Sequence, residues 1–391
     1  MESAFPVERI IEGDTEVLIP RAKASGKERA PVFFNPAMEE NRSIGVCALE
    51  AYQTTSQREL SICDPLTGTG IRGIRYAREV PKTRRVVIND ANPMAVELAR
   101  RNVELNRLRG TVEVYAEESN NLLSRFATRG QRLDVIDLDP FGSPAPFIES
   151  AIRATKAGGL IAMTATDTAA LNGVYPKACL RKYGSKPLRV EYGPEVGVRI
   201  LAASLCSCAA RHGFGIKVKL SHSTRHYLRI YATTEKGLKA ADESVSNLGY
   251  LLHCFNCAYR EVRYGHVLES QRCPNCGAAL SAGGPIWLGK IFEKRFCQMT
   301  MENLKRRSWK TKEEISQILG TIMIEADGPP TYFEVDKISE KLRISSISVR
   351  RIIEALRSRG YFASRTHFSQ KGLRTDAPIR ALEETMTALA R

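Results

Sequence analysis

Three observations predict an α/β fold built around a seven-stranded, mostly parallel sheet. Apolar strand-like runs at about 60–63, 85–89, 111–115, 133–138 and 159–164 alternate with helical patterns, the signature of strands wound by crossover helices. Two further runs, 216–220 and 227–232, are separated by a short polar connection and read as an antiparallel pair. A glycine-rich loop, Asp64-Pro-Leu-Thr-Gly68-Thr-Gly70-Ile-Arg72-Gly73, leaves the first strand and opens a helix.

That strand count and order fit the S-adenosylmethionine-dependent methyltransferase (Rossmann-like) sheet better than a dinucleotide dehydrogenase. The loop contains Gly-x-Gly-x-x-Gly, and Asp90 closes the second strand where ribose hydroxyls would lie, which is also the nicotinamide fingerprint. Glycine is needed because the backbone must approach a ligand closely and turn tightly into a helix. Two details favour a sulfonium cofactor: Asp64 opens the loop where a cation can be met, and an acidic turn closes the fourth strand. Glu117, Glu118 and Ser119 follow the third strand, either beside an adenine edge or as a solvated acidic turn.

The fourth strand carries the sharpest chemistry. Asp134-Val-Ile-Asp-Leu-Asp139-Pro-Phe-Gly142 alternates acidic and aliphatic residues and then stops. Pro140 lacks a backbone donor and biases Asp139 toward extended or turn geometry. Carboxyl ends of parallel strands face the ligand crevice, so a carboxylate, two flat surfaces and a glycine all point there. An exocyclic nucleobase amine is a poor nucleophile because its lone pair is delocalised into the ring. Asp139 and the Pro140 carbonyl, accepting its two hydrogens, would localise that pair, and Phe141 would stack on the base for roughly 1–3 kcal/mol. The plainer reading is that Asp139 caps a turn and Phe141 fills core.

At 391 residues the chain has room for two domains or more. Its formal charge of +15 points to a polyanionic partner such as nucleic acid, though a membrane surface or an acidic protein is also compatible. No apolar run approaches the roughly 18 residues of a spanning helix, and residues 1–10 lack a basic region followed by an apolar one. A soluble cytoplasmic protein is expected. Near the N-terminus, Pro31-Val-Phe-Phe-Asn-Pro36 and Asn41-Arg42 interrupt a stretch with few periodic signals; Phe33 and Phe34 form a pocket wall or plug the arm against the main domain.

Four of the ten cysteines form two Cys-x-x-Cys pairs, Cys254/Cys257 and Cys273/Cys276, separated by 15 residues. Such knuckles can hold one zinc tetrahedrally, and closure by four thiolates makes the site structural. The βαβ context of a redox motif is absent. Arg260, Arg263 and Arg272 either touch RNA or form a solvated rim. The remaining cysteines read as packing thiols. Beyond the boundary at 283–288, residues 289–391 hold 20 Lys and Arg against 13 Asp and Glu. There Val335, Ile338 and Leu342 mark one helix face, Ser345-Ser346 offers a cap, and Val349, Ile352, Ile353 and Leu356 mark a second face ending at Gly360. With strand-like 361–368 and a turn at 369–372, this looks like a winged helix-turn-helix. Arg350, Arg351, Arg357, Arg359, Arg365, His367 and Arg374 would face phosphates, unless they line a solvated helix face.

Taken together, Val32-Phe-Phe-Asn-Pro36, Asn41-Arg42, Thr67-Gly-Thr-Gly-Ile-Arg-Gly-Ile-Arg75, Asn89-Asp90, Ile136-Asp-Leu-Asp-Pro-Phe-Gly-Ser-Pro144 and Thr164-Ala-Thr-Asp167 resemble the tRNA guanine-26 N2-dimethyltransferase family. So do Lys177-Ala-Cys-Leu-Arg-Lys-Tyr183, Gly284-Pro-Ile-Trp-Leu-Gly289 and Arg365-Thr-His-Phe-Ser369. The resemblance runs through nearly the whole chain in order. It implies S-adenosyl-L-methionine contacts at Arg42, Arg72 and Asp90, with the acidic third-strand position on Glu118 and its neighbour on Ser119, where the family often has Asp-Ala. The four-cysteine insert looks like one present in only some members. Expected catalytic residues are Asp139, Pro140 and Phe141; Phe33 and Asp64 join the cofactor set; Arg350, Arg351, Arg357, Arg365 and Arg374 are the RNA contacts. The expected division is an N-terminal arm over 1–45, a methyltransferase domain over 46–245, a zinc ribbon over 246–283 and a C-terminal tRNA-binding domain over 284–391, in a monomer. Rival readings are a methyltransferase for an amine in ribosomal RNA or DNA, a winged-helix regulator and a nicotinamide-dependent oxidoreductase.

Overall fold

The computed structural model describes residues 5–21, 30–265 and 271–391. It opens with an antiparallel hairpin, β1 (Val7–Glu12) and β2 (Thr15–Pro20), and then a helix, α1 (Glu39–Ser56). The hairpin stands where few periodic signals are legible. The one cue is Gly13-Asp14 between alternating apolar residues, and Gly13 indeed turns the chain at φ 60°. Helix α1 carries Asn41 and Arg42. It is buried on nearly every side, so its sequence shows no amphipathic stripe.

A strict alternation follows: β3 (Leu60–Asp64), α2 (Ile71–Glu79), β4 (Thr83–Asn89), α3 (Pro93–Leu105), β5 (Val112–Tyr115), α4 (Ser119–Phe126), β6 (Leu133–Leu138), α5 (Ile148–Ala154) and β7 (Thr155–Ala165). Parallel pairs join β3 to β4 and β6, β4 to β5, and β6 to β7. Helices α6 (Thr168–Leu171), α7 (Pro176–Tyr183) and α8 (Gly193–Arg211) lead to β8 (Phe214–Thr224) and β9 (Tyr227–Lys236). The sheet order is β5-β4-β3-β6-β7-β9-β8, the predicted seven strands. Strands β3 and β6 are buried at every position, which is why they read as short apolar runs. Local chemistry sets the helix starts. Asn92 caps α3 by accepting from the Met94 amide, with Pro93 in the first turn. Gly73 lets α2 press onto β4, since a Cβ there would lie 2.2 Å from Ile88 Cγ2.

The chain forms two compact units, each gathered from stretches that are separated in sequence. The first comprises Met1–Thr164, Tyr231–Lys236 and Arg295–Leu319; the second comprises Ala165–Ile230, Gly237–Lys294 and Gly320–Arg391. In the second unit, a helix α9 (Leu238–Val245) precedes β10 (Leu248–His253), β11 (Arg260–Tyr264) and β12 (Ser281–Trp287), a small sheet with β10 at its centre.

Further along run α10 (Lys294–Lys305), α11 (Lys312–Glu325), β13 (Phe333–Glu334), α12 (Val335–Leu342), α13 (Val349–Ser358), β14 (Ala363–Thr366), β15 (Ser369–Thr375) and α14 (Ile379–Ala390). The segment from β13 onward is the expected winged arrangement, with the predicted apolar faces of α12 and α13 forming one core with Leu373, Leu382 and Met386. Two local expectations are corrected. Ser348, not Ser345-Ser346, caps α13 by accepting from the Arg351 amide, because it is the last extended residue before the helix. The wing turns at His367-Phe368, so 369–372 is strand paired within β15. Among the described residues no helix is long and apolar enough to cross a membrane.

Candidate active site and metal centre

Because β4 and β6 flank β3 on opposite sides, the loops after β3 and β6 open onto one crevice. The register Ile62↔Val135 and Cys63↔Ile136 carries Asp64 alongside Asp137. Asp139 follows two residues later on the same strand face. Arg72, in the first turn of α2, gathers this group. Its Nη2 donates to Asn41 Oδ1 at 2.9 Å and ion-pairs with Asp139, and its Nη1 lies 3.5 Å from Asp137 Oδ2. One turn along, Tyr76 donates its hydroxyl to Asp137 at 2.5 Å.

Three carboxylates thus surround one guanidinium, and Asp64 is one of the two that are fully enclosed. Burial pushes the Asp64 carboxyl up to about 7, with Arg72 opposing and the negative Asp137 adding to the rise. Burial also works against the charge of Arg72, but Asp139 and Asp137 more than offset it and hold the guanidinium well above its usual range. Asp64 Oδ2 accepts from Thr67 Oγ1 at 2.7 Å, while Oδ1 is buried without a hydrogen bond among the described residues. Asn41 Nδ2 is likewise buried and unbonded. Orphaned polar atoms of both kinds beside a glycine loop fit a polar, positively charged ligand. Gly68, at φ 56°, passes so close to the Phe33 carbonyl that a Cβ would stand 3.1 Å from it.

At the mouth stand the two aromatics of the prediction. Phe141 is 73% exposed and Phe33 52%, and their rings meet edge to face with centroids 4.4 Å apart. Phe141 therefore does not fill core. Asp139, whose side chain is 21% exposed, presents a reachable carboxylate directly behind them in the chain. Pro140 is buried between the two.

The other expected cofactor residues are placed as follows. Arg42 donates to both oxygens of buried Glu12, at 2.6 and 2.5 Å, and to the Asn35 carbonyl at 3.2 Å, bracing the segment that bears Phe33. Burial would raise the Glu12 carboxyl, but Arg42 and then Arg75 hold it below its ordinary value. Asp90 accepts from the Gly68 amide at 2.8 Å and the Asn92 amide at 2.9 Å, organising the loop from the next strand. Glu118 caps α4 through the Asn121 amide, and Ser119 donates to the Pro65 carbonyl at 2.8 Å. Glu12, Tyr76 and Asp137 are polar residues the sequence reading did not single out. For Asp137 the signal was available, since a carboxylate at an inward strand position two before Asp139 must share its face.

In the second unit Cys254, Cys257, Cys273 and Cys276 bring their four sulfurs within 4.8 Å of one another. Each knuckle closes alike: Ala258 N donates to Cys254 O at 2.9 Å, and Gly277 N to Cys273 O at 2.8 Å, with both residues at positive φ. Three of the cysteines are buried. An all-thiolate donor set in this compass fits a structural zinc ion.

The expected RNA contacts separate. Arg350, Arg351, Arg357 and Arg365 are exposed, and Arg350, Arg357 and Arg365 line one groove of about 310 Å³. Arg374 is corrected: it is buried, paired to Glu195 at 2.7 Å and Glu325 at 2.9 Å, and it donates to the Pro329 and Thr331 carbonyls. The end of β15 is covered on both faces, with Leu373 and Arg374 both buried, so Arg374 serves internal pairing and faces no phosphate. The His367 side chain is buried against Glu325 in the same way.

A sheet in this order, with a glycine loop after its first parallel strand and an Asp-Pro-Phe turn after its fourth, defines a Rossmann-like methyltransferase. The family model of N2,N2-dimethylguanosine tRNA methyltransferase matches residues 13–387, and the chain belongs to that family. It is 43% identical to the tRNA (guanine(26)-N(2))-dimethyltransferase of Methanosphaera stadtmanae, covering 96% of this chain and 95% of that protein. It is 33% identical to the tRNA (guanine(26)-N(2)/guanine(27)-N(2))-dimethyltransferase of Aquifex aeolicus, over 98% and 96% of the two chains. A solved structure of Trm1 from Pyrococcus horikoshii with S-adenosyl-L-methionine superposes with a TM-score of 0.86 at 35% identity, over 97% of this chain and 99% of that one.

Proposed function

We propose that the protein methylates the exocyclic N2 of guanine 26 in tRNA, first to the monomethyl and then to the dimethyl product, using S-adenosyl-L-methionine. The observation that carries this reading is the Asp139 carboxylate, aimed by Arg72 and followed by an exposed Phe141 ring. When bound, S-adenosylmethionine supplies an electrophilic methyl group on a sulfonium centre. Asp64, Arg72, Asp90, Glu118 and Ser119 line or order the loops that would hold it, and Arg42 positions the Phe33 segment over them.

Asp139 accepts an N–H of the guanine amine, the Pro140 carbonyl takes the other, and the amine lone pair turns out of conjugation. The proton then passes to Asp139. Arg72 holds the Asp139 carboxylate in position by its ion pair, and Asp137, fixed by Tyr76, keeps Arg72 in place. Phe141 stacks on the base, which must leave its helix to be reached, and Phe33 closes from the other side. Arg350, Arg351, Arg357 and Arg365 would contact tRNA phosphates, the four cysteines would hold a structural zinc, and the enzyme would act as a cytoplasmic monomer.

The test is transfer of labelled methyl from S-adenosylmethionine to unmodified tRNA transcripts with guanine or adenine at position 26. Two methyls per guanine transcript and none on the adenine transcript are expected. Equal labelling of both transcripts, or labelling of ribosomal RNA or DNA alone, would overturn the assignment.

A further inference from the structure

The motif around α7 has no part in the site above, yet it builds an unusual surface. Between 165 and 190 the chain holds five Lys and Arg against one acidic residue, Asp167. That single carboxylate is already engaged, accepting from Lys182 Nζ at 2.8 Å and from the Tyr183 hydroxyl at 2.7 Å. Cys179 and Tyr183 face inward and are buried, which fixes the opposite face of α7 outward. On that face lie Lys177, Leu180 and Arg181, all exposed, with Leu180 at 55%.

Tyr175 precedes the helix and is 62% exposed. The loop after the helix returns to it: Gly173 packs on the backbone of Leu188 and Arg189, leaving no room for a side chain, since a Cβ would stand 2.8 Å from the Arg189 nitrogen. Lys186 is pinned through its backbone to Gly284, with hydrogen bonds of 2.9 and 2.8 Å in the two directions, while its side chain is exposed. Lys177 and Arg181 share the outward face of α7, Lys186 and Arg189 are exposed on the connection that follows it, and none of the four has an acidic partner among the described residues.

We infer that this α7 patch is a second docking surface for the tRNA substrate, an inference that rests on the tRNA reading above. The cations meet backbone phosphates, and the Tyr175 ring takes a base face or ribose. Four cations without an acidic partner among the described residues, interleaved with an exposed aromatic and an exposed leucine, match a single nucleic-acid strand, which repeats a phosphate and a stackable base at every nucleotide.

The test compares the full-length wild type with Lys177→Gln/Arg181→Gln, with Tyr175→Ala, and with the charge-matched control Lys236→Gln/Lys239→Gln. The readouts are tRNA binding by fluorescence anisotropy across a salt series and S-adenosylhomocysteine binding by calorimetry. The first pair is expected to weaken tRNA binding and lower the slope of log affinity against log salt by about 1.5, the loss of two phosphate contacts. Tyr175→Ala is expected to weaken binding about tenfold with the salt slope unchanged, by loss of a stacked base. Cofactor-product binding should stay as in wild type in every variant, which shows that folding is intact. Wild-type binding and slope in both α7 variants, or an equal loss in the control pair, would overturn the inference while leaving the methyl-transfer reading standing. Failure of wild type to methylate tRNA at all would instead overturn that reading, and this one with it.

Discussion

Replacing Asp64 by asparagine isolates the cost of a carboxylate enclosed beside the glycine loop. Burial, opposed in part by Arg72, moves this carboxyl from 3.8 to about 7. Between those values the native state binds a proton that the unfolded chain has released, so stability falls as pH rises through the window and levels off above about pH 7. At about 1.4 kcal/mol per pH unit, the penalty at alkaline pH is at most roughly 4 kcal/mol. The Asp64→Asn side chain keeps an oxygen for Thr67 Oγ1 and carries no titrating group.

Urea unfolding of the ligand-free proteins from pH 5 to 9, followed by tryptophan fluorescence, measures the difference. The variant should gain on wild type by up to about 1.4 kcal/mol per pH unit up to neutrality, and the gap should then stay constant. Parallel stability curves across this range would refute the reasoning. The same carboxylate gives a binding signature, because a sulfonium beside Asp64 favours its ionised form. In wild type the affinity ratio of S-adenosylmethionine to uncharged S-adenosylhomocysteine should rise between pH 6 and 8; in Asp64→Asn it should be flat.

Four further outcomes can be checked directly. Asp139→Asn should lower kcat by roughly 10²–10⁴-fold with tRNA affinity retained, and appreciable turnover would contradict its role as proton acceptor. Metal analysis should find one zinc per chain; Cys257→Ser should abolish it and expose the knuckles to protease, and full zinc occupancy in that variant would contradict four-thiolate binding. Arg374→Ala should cost about 3–5 kcal/mol of stability by stranding Glu195 and Glu325 in the core. Arg350→Gln should change stability by no more than about 0.5 kcal/mol and instead reduce the salt dependence of tRNA binding, so a large melting-temperature drop there would reverse the assignment.

The parts legible in the sequence were those with a local physical cause. The alternation of strands and helices, the glycine loop, the proline that stops the chain just after β6 and the paired knuckles each announce themselves within a few residues, because period, turn chemistry and ligand spacing are short-range properties. Other features were decided only when distant segments met. The register of β3 on β6 brings Asp64 to Asp137 and makes Arg72 the hub of the site. Glu12, from a hairpin with one short turn cue, braces Arg42 and Arg75. Arg374 looks like any other basic residue of a charged tail until the fold turns it inward between two buried glutamates. Sequence by itself thus determines which groups are available at each strand end. Burial and pairing, which set their charge and whether they face substrate or core, depend on contacts between residues far apart in the chain, and only the tertiary structure supplies those.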